Sequence, residues 1–357
     1  MMTAVLPTRT RANDALGFDH ERVVAATGER SGLAMIVAVH STTLGPALGG
    51  CRLWSYDSWA DGLADALRLS RGMTSKNALA GLDAGGGKSV IMLPAGTVLE
   101  GDARRDAFLD LGDLVESLGG SYRTAEDVAT TSLDMAVIAE RTTHVVGLPT
   151  ETGGHGDPAE YTARGVYAGL RETLRRATGS DDVAGRRVTV AGLGQVGSRL
   201  ATRLAHEGAV LTVTDFNPAR AQFAAELGAA WVAPDEAHRI AADVFVPAGV
   251  GGMLSATVIA ELAATSVCGP ANNQLAESDG DVQLRARGIL YAPDYLVNAG
   301  GVIRLGDEDS TDAQVLARID AIEQTLAEVF DESERSGVTT VEAADRLVFE
   351  RLRAAAG

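Results

Sequence analysis

The chain has 357 residues, 46% of them hydrophobic and 22% charged, with a formal net charge of −17: long enough for two domains that each bury a core, and acidic enough to repel polyanions. It holds no stretch near the roughly 20 uninterrupted apolar residues that span a bilayer and no basic stripe with interleaved aromatics, so neither a membrane nor a nucleic acid is expected as a partner. Cys51 and Cys268 are the only cysteines and have no metal-ligand spacing, which argues against a disulfide framework or a metal site and for a reducing, cytoplasmic setting.

In chain order, residues 1–13 carry Pro7 and two arginines without the apolar segment of a targeting signal, and read as a loose terminus. Residues 33–40 and 89–93 are short apolar runs rich in β-branched side chains, expected as strands. Between them, residues 59–80 place Leu63, Leu67 and Met73 near a helical period, which puts Lys76 close to the helix C-terminus, where the dipole favours a cation. Residues 107–118 read as a helix stopped by Gly119-Gly120, and 121–124 as a short strand that leaves Asp127 at a strand end. A glycine-rich loop follows, Gly153-Gly154-His155-Gly156-Asp157-Pro158, and helical spacing resumes over 159–176. From Arg186 strands and helices alternate: 188–191, 196–206, 209–214, 218–227, 243–247, 255–264 and 265–269. That rhythm means a parallel, doubly wound sheet. Residues 311–336 and 341–355 read as two closing helices.

A glycine fingerprint alone is weak evidence for a nucleotide. Here Gly192-Leu193-Gly194-Gln195-Val196-Gly197 follows the strand Arg187-Val188-Thr189-Val190-Ala191 and opens a helix whose free amides suit a pyrophosphate. Asp215 arrives 23 positions after Gly192, at the end of the apolar strand 210–214, where a carboxylate binds ribose hydroxyls and repels a 2′-phosphate. NAD is therefore the expected cofactor. Arg220, close by, is expected to be a solvated helix residue.

Leu82-Asp83-Ala84-Gly85-Gly86-Gly87-Lys88-Ser89 holds a lysine where backbone and ligand can approach closely. The segment is no phosphate-binding P-loop, because the glycine that should stand six positions before the lysine is replaced by Leu82. Lys88, Lys76 in Met73-Thr74-Ser75-Lys76-Asn77, and Asp127 together supply what oxidation of an amino acid requires: a cation for the carboxylate, an amine that moves protons and an acid group to balance them. Singly, each has a plain alternative: Lys88 as a solvated turn residue, Asp127 as a cap for a helix beginning near Thr131, Asn272-Asn273 as a turn.

These segments, with Leu44-Gly45-Pro46-Ala47-Leu48-Gly49-Gly50, Thr124-Ala125-Glu126-Asp127, Pro270-Ala271-Asn272-Asn273-Gln274-Leu275 and Tyr291-Ala292-Pro293-Asp294-Tyr295-Leu296-Val297-Asn298-Ala299-Gly300-Gly301, resemble in order the glutamate/leucine/phenylalanine/valine dehydrogenase family, most closely its valine, leucine and phenylalanine members. The resemblance implies an α/β fold with an N-terminal substrate and oligomerisation domain (1–148), a Rossmann-type NAD domain (149–336), and a C-terminal helix (337–357) packing back on the first domain, with the active site in the cleft between. It implies that Lys88 is the catalytic lysine and Asp127 its acid/base partner. Lys76, the Gly45 amide and Asn272 would bind the substrate carboxylate; Leu44, Ala125, Val302 and Leu305 would line an apolar side-chain pocket; Thr162 and Ala248 would stand near the cofactor. Arg304 is expected to point away from that pocket and lie at the surface. His155, Pro270 and Ala248-Gly249-Val250 depart from the usual pattern. The expected activity is oxidative deamination of an apolar L-amino acid, branched-chain substrates favoured, by a homo-oligomer. Two alternatives stay open on the sequence: phenylalanine or an unusual amino acid as substrate, and a protein retired from catalysis that binds NAD as a scaffold or sensor.

Overall fold

The computed structural model describes residues 18–152, 154, 157–307 and 310–357; the terminal segment 1–13 and His155, singled out above, lie outside them. The described residues fold as two compact units, one taking those up to Thr74 and from Asp83 to Gly154, the other Ser75–Leu82 and those from Asp157 onward.

The first unit is built on a five-stranded mixed sheet. Its strands are β1 (Arg22–Thr27), β2 (Ala34–Ser41), β3 (Ala47–Ser55), β4 (Gly85–Leu93) and β5 (Tyr122–Glu126), in spatial order β1-β2-β4-β3-β5. β1 and β4 flank β2 antiparallel, whereas β3 runs parallel to both β4 and β5. Strand side chains alternate between faces, and the two faces are filled differently. Met35, Val37, Val39, Cys51, Leu53 and Ile91 pack against α2 (Gly101–Glu116) and α3 (Ser132–Ala139) through Phe108, Leu111, Met135 and Ile138. The other parity, Ile36, Ala38 and Val90, meets Ala66, Leu63 and Leu67 of α1 (Trp59–Leu79). Lys88 shares its parity with Val90 and so belongs to the α1 face.

The strand expected over 89–93 begins earlier, at Gly85, and the glycine run lies inside it. At Gly86 a Cβ would stand 2.1 Å from the Thr74 amide nitrogen. The missing side chain admits α1 against the strand, which is why weak strand formers occupy a buried one. β1 and β3 were not anticipated; Gly49-Gly50 hides β3 from a propensity reading.

The second unit carries a six-stranded sheet, parallel throughout: β6 (Arg187–Ala191), β7 (Val210–Thr214), β8 (Ala230–Trp231), β9 (Ala242–Pro247), β10 (Ala264–Val267) and β11 (Leu290–Tyr291), in order β11-β10-β9-β6-β7-β8. The chain moves outward from β6 to β8, then crosses to β9 and moves outward the other way. That reversal opens a crevice beyond the C-terminal ends of β6 and β9, the place where doubly wound sheets take their ligands. Helices α4 (Pro158–Thr178), α5 (Gln195–His206), α6 (Ala221–Glu226), α7 (Ala256–Glu261), α8 (Gly280–Ala286), α9 (Asp294–Val297), α10 (Gly300–Gly306), α11 (Asp312–Asp320), α12 (Ile322–Ser336) and α13 (Thr340–Ala356) complete the unit. The single helix expected over 311–336 is two, parted at Ala321 with no Pro or Gly to announce the break. Among the described residues no helix is long and apolar enough to cross a membrane.

Candidate active site

Lys88 and Asp127 meet on the α1 face of the first sheet. Lys88 is buried at 4% exposure, and its Nζ donates to Asp127 Oδ2 at 2.6 Å. The register explains the meeting: β3 separates the two strands and pairs with both, Leu48 with Gly86 on one side and Gly50 with Ala125 on the other. Beyond β5 the backbone is pinned. The Asp127 amide donates to Thr130 Oγ1 at 2.8 Å, and that hydroxyl reaches the Cys51 carbonyl at 3.0 Å. Ala129 follows in the left-handed region at φ 60°, and Arg104 Nη2 holds its carbonyl at 2.9 Å. Burial pushes the Asp127 carboxyl up, and the charge and hydrogen bond of Lys88 with the Arg52 guanidinium more than offset it, leaving the group below its ordinary range. For these two residues the plain alternatives fall away, whereas Asn272-Asn273 does form a turn. Lys88 is in a strand rather than a solvated turn, and α3 is capped by Thr131 and Asp134, not by Asp127.

Lys76 and Asn272 form a second cluster, both within the second unit. Lys76 Nζ donates to Asn272 Oδ1 at 3.2 Å, and Asn298 Nδ2 donates to the same oxygen at 2.8 Å. With Oδ1 taken twice, the Asn272 Nδ2 donors keep no partner among the described residues, which suits an incoming anion. Asn298 is held in turn by the carbonyl of buried Pro270 at 3.1 Å. The buried Asp294 carboxyl accepts the Gln274 amide at 3.4 Å and is pushed up by burial against the opposing charge of Lys76. It therefore braces the turn through Asn273, at φ 52°, that presents Asn272.

The fingerprint turn lies at the crevice identified from topology. Gly192 sits at φ 120°, where a Cβ would be 2.6 Å from the Ala248 carbonyl carbon, so the turn closes only around glycine. The Ala248 amide donates to Ala191 O at 2.8 Å, bringing the ends of β9 and β6 together. Gly194 caps α5, with open space where its side chain would be, and the first turn, Gln195, Val196 and Gly197, presents its amides at the positive end of the helix. Asp215 Oδ2 accepts the Leu193 amide at 2.7 Å and Oδ1 the Asn217 amide at 2.8 Å; each oxygen keeps a lone pair for a ribose hydroxyl. These residues fit a dinucleotide. Arg220 is exposed, as expected.

Comparison with known proteins decides the class. Residues 18–144 match the model of the Glu/Leu/Phe/Val dehydrogenase dimerisation domain and residues 219–356 that of Glutamate/Leucine/Phenylalanine/Valine dehydrogenase. The chain is 43% identical to a leucine dehydrogenase of Bacillus cereus over 94% of its own length and 91% of that protein's. It is 42% identical to a phenylalanine dehydrogenase of Caldalkalibacillus thermarum over 94% and 92%. The L-tryptophan dehydrogenase structure from Nostoc punctiforme superposes with a TM-score of 0.84 at 35% identity, covering 96% of this chain and 99% of that one. The chain belongs to the glutamate/leucine/phenylalanine/valine dehydrogenase family. It is an amino acid dehydrogenase, an oxidoreductase of the nicotinamide-nucleotide-dependent type.

Other expected residues of this dehydrogenase are divided among the two units. Leu44, half-buried, and buried Ala125 lie in the first; the Gly45 amide, expected to bind the substrate carboxylate, instead donates to the Thr42 carbonyl at 3.0 Å, and the Gly45 carbonyl accepts the Gly85 amide at 3.1 Å where β4 begins. Val302 and Leu305, both half-buried, lie on α10 of the second. Thr162 Oγ1 donates to Pro158 O at 3.0 Å and stands 2.7 Å from where a Gly301 side chain would begin. One expectation is overturned: Arg304 is not at the surface but 2% exposed. Gly300 and Gly301 seat α10 against α4, and Arg304, one turn on, shares their face. Its Nη1 lies 3.5 Å from Asp312 Oδ1, and its Nε and Nη1 have no hydrogen-bond acceptor among the described residues. Sequence reasoning assigned no role to Arg52 or Asn298. Arg52 as the lone charged residue of 47–55 was the signal for the first; the second stood inside a quoted motif.

Proposed function

We propose that the chain catalyses NAD-dependent oxidative deamination of an apolar L-amino acid, valine or leucine foremost, to the 2-oxo acid and ammonia, together with the reverse reductive amination. The observation that carries this reading is the pair of buried Lys88 and half-buried Asp127 at 2.6 Å, an amine and an acid poised for proton exchange. In this reading Lys76 and Asn272 hold the substrate carboxylate, and Leu44, Ala125 and Val302 surround its side chain. Bound at Gly192, Gly194, Gln195, Val196, Gly197, Asp215, Ala248 and Thr162, NAD supplies the acceptor for the hydride that leaves the substrate α-carbon. Lys88, once neutral, takes a proton from a water molecule as that water attacks the iminium carbon, and Asp127 passes a proton to the amino nitrogen so that ammonia can leave. An acidic side chain on the substrate finds no partner in an apolar lining and costs several kcal/mol to bury. Asp215 favours NAD over NADP by repelling a 2′-phosphate.

The working form is a homo-oligomer in the cytoplasm. Assembly is the assignment made to the first unit, and the dimerisation-domain description of residues 18–144 supports it. The test is NAD reduction at alkaline pH across the common L-amino acids, with the reverse reaction on 2-oxo acids and ammonia. Turnover greatest with leucine or valine supports the reading; turnover restricted to glutamate, or none with any amino acid, contradicts it.

A further inference from the structure

Among the described residues, Arg52 is the one charged side chain against the Lys88–Asp127 pair that the proposed chemistry leaves unused. It lies on β3, and its Nε donates to Asp127 Oδ2 at 3.2 Å, the same oxygen that Lys88 reaches at 2.6 Å. Its Nη1 donates to Asp65 Oδ2 at 2.8 Å. Asp65, on α1, is itself fixed: the Tyr56 hydroxyl donates to Oδ2 and Arg68 to Oδ1, both at 2.7 Å. A planar guanidinium fastened at both ends has one orientation, and an ammonium on a flexible stem does not reproduce it.

We propose that Arg52 is the positioning residue of the Lys88–Asp127 pair, a permanent cation that keeps Asp127 ionised and in place while Lys88 is without its proton. The inference rests on the roles proposed above for Lys88 and Asp127. A carboxylate half-buried on the α1 face loses part of its hydration, and a cation beside it offsets that cost. Lys88 fills that need as an ammonium, but general-base chemistry requires it to be neutral for part of the cycle. Were it the sole partner, Asp127 would then hold a proton more readily and be less able to take up the one it passes to the amino nitrogen. Arg52 does not deprotonate in the working range, so its contribution is the same at every stage. The same positive charge makes the pair as a whole release its proton more readily, so Arg52 sets the pH at which deamination begins. The charged or titratable groups facing it are Lys88 on β4, Asp127 beyond β5, Asp65 and Arg68 on α1, and Tyr56 before that helix.

The test compares Arg52→Gln and Arg52→Lys with the parent, with Lys88→Ala as reference, measuring kcat and KM against pH for the best substrate of the panel above, NADH affinity by fluorescence, and Tm. For Arg52→Gln the expectation is a kcat reduced by about tenfold or more, an amino acid KM within about threefold of the parent, unchanged NADH affinity, and a rising limb of activity displaced upward by about one pH unit. Arg52→Lys keeps the charge, so it should return the limb to its parental position while kcat stays low for want of the fork. Parental kcat and limb in Arg52→Gln overturn the inference. Should Arg52→Gln fail to fold, Arg52→Lys decides: a displaced limb, or full parental kcat, overturns it. Turnover retained by Lys88→Ala defeats the underlying reading instead, whereas turnover lost there and intact in Arg52→Gln defeats only the inference.

Discussion

The two lysines of the candidate site show one side chain put to two uses by its surroundings. Lys88 is buried against a carboxylate, with a second cation on the same carboxylate oxygen. Lys76 is half-buried; it donates to the neutral amide of Asn272 at 3.2 Å, and its charge is felt by the buried Asp294 carboxyl. An amine in the first setting has an acid group within reach for proton exchange, the role proposed for Lys88. An amine in the second, beside an amide, suits the proposed task of meeting an incoming anion. The contrast teaches that a lysine's task is written in the charge of what it touches.

The largest break in this contrast is expected from Lys88→Ala, which should lower kcat by about a hundredfold or more with NAD affinity retained; steady-state kinetics and cofactor titration measure both. Lys76→Met should act on binding instead, raising the amino acid KM by roughly ten- to a hundredfold through loss of a charge-assisted hydrogen bond. Gly192→Ala should weaken NAD by about tenfold, since the residue must leave φ 120° or push Ala248 aside; the readout is NADH fluorescence, and the amino acid KM in saturating cofactor should stay put. Asp215→Ser should narrow the preference for NAD over NADP by several-fold in kcat/KM.

The smallest effect concerns the first unit's stability. His20 and His40 pack edge to face at 4.9 Å, tied to Ser70 and Thr74 of α1 at 2.8 and 2.7 Å. Burial holds both imidazoles below their ordinary range, against the opposing charge of Asp19. Their folded-state pKa values lie under the unfolded ones, so the unfolded chain binds more protons and stability falls as pH drops below about 6.5. Melting at pH 5.5 should come a few degrees below that at pH 7.5, and a His20→Gln/His40→Gln double variant should show a flatter dependence.

The nucleotide-binding half was legible because its pieces follow one another in sequence: strand, glycine turn, helix, strand, acid. Gly192 and Asp215 could be placed from spacing alone. The first unit was less legible because its glycines do structural work that propensity reads backwards. Gly85-Gly86-Gly87 reads as loop and is strand, and β3 escaped notice behind Gly49-Gly50 although its register brings Lys88 and Asp127 together. Arg304 was misread for a related reason, since its burial follows from how closely two glycines let α10 approach α4, a distance no local pattern records. Lys76 was placed correctly near the end of α1, but its bond to Asn272 spans 196 positions, and only the fold supplies such a pairing.

The division of labour between the two lysines is tested most directly by calorimetric titration of an unreactive aliphatic carboxylic acid, in saturating NADH, into Lys88→Ala and Lys76→Ala. The account predicts that Lys88→Ala binds the acid with near-parental affinity and that Lys76→Ala loses binding by at least about tenfold. The reverse pattern, or equal losses in both, would contradict it.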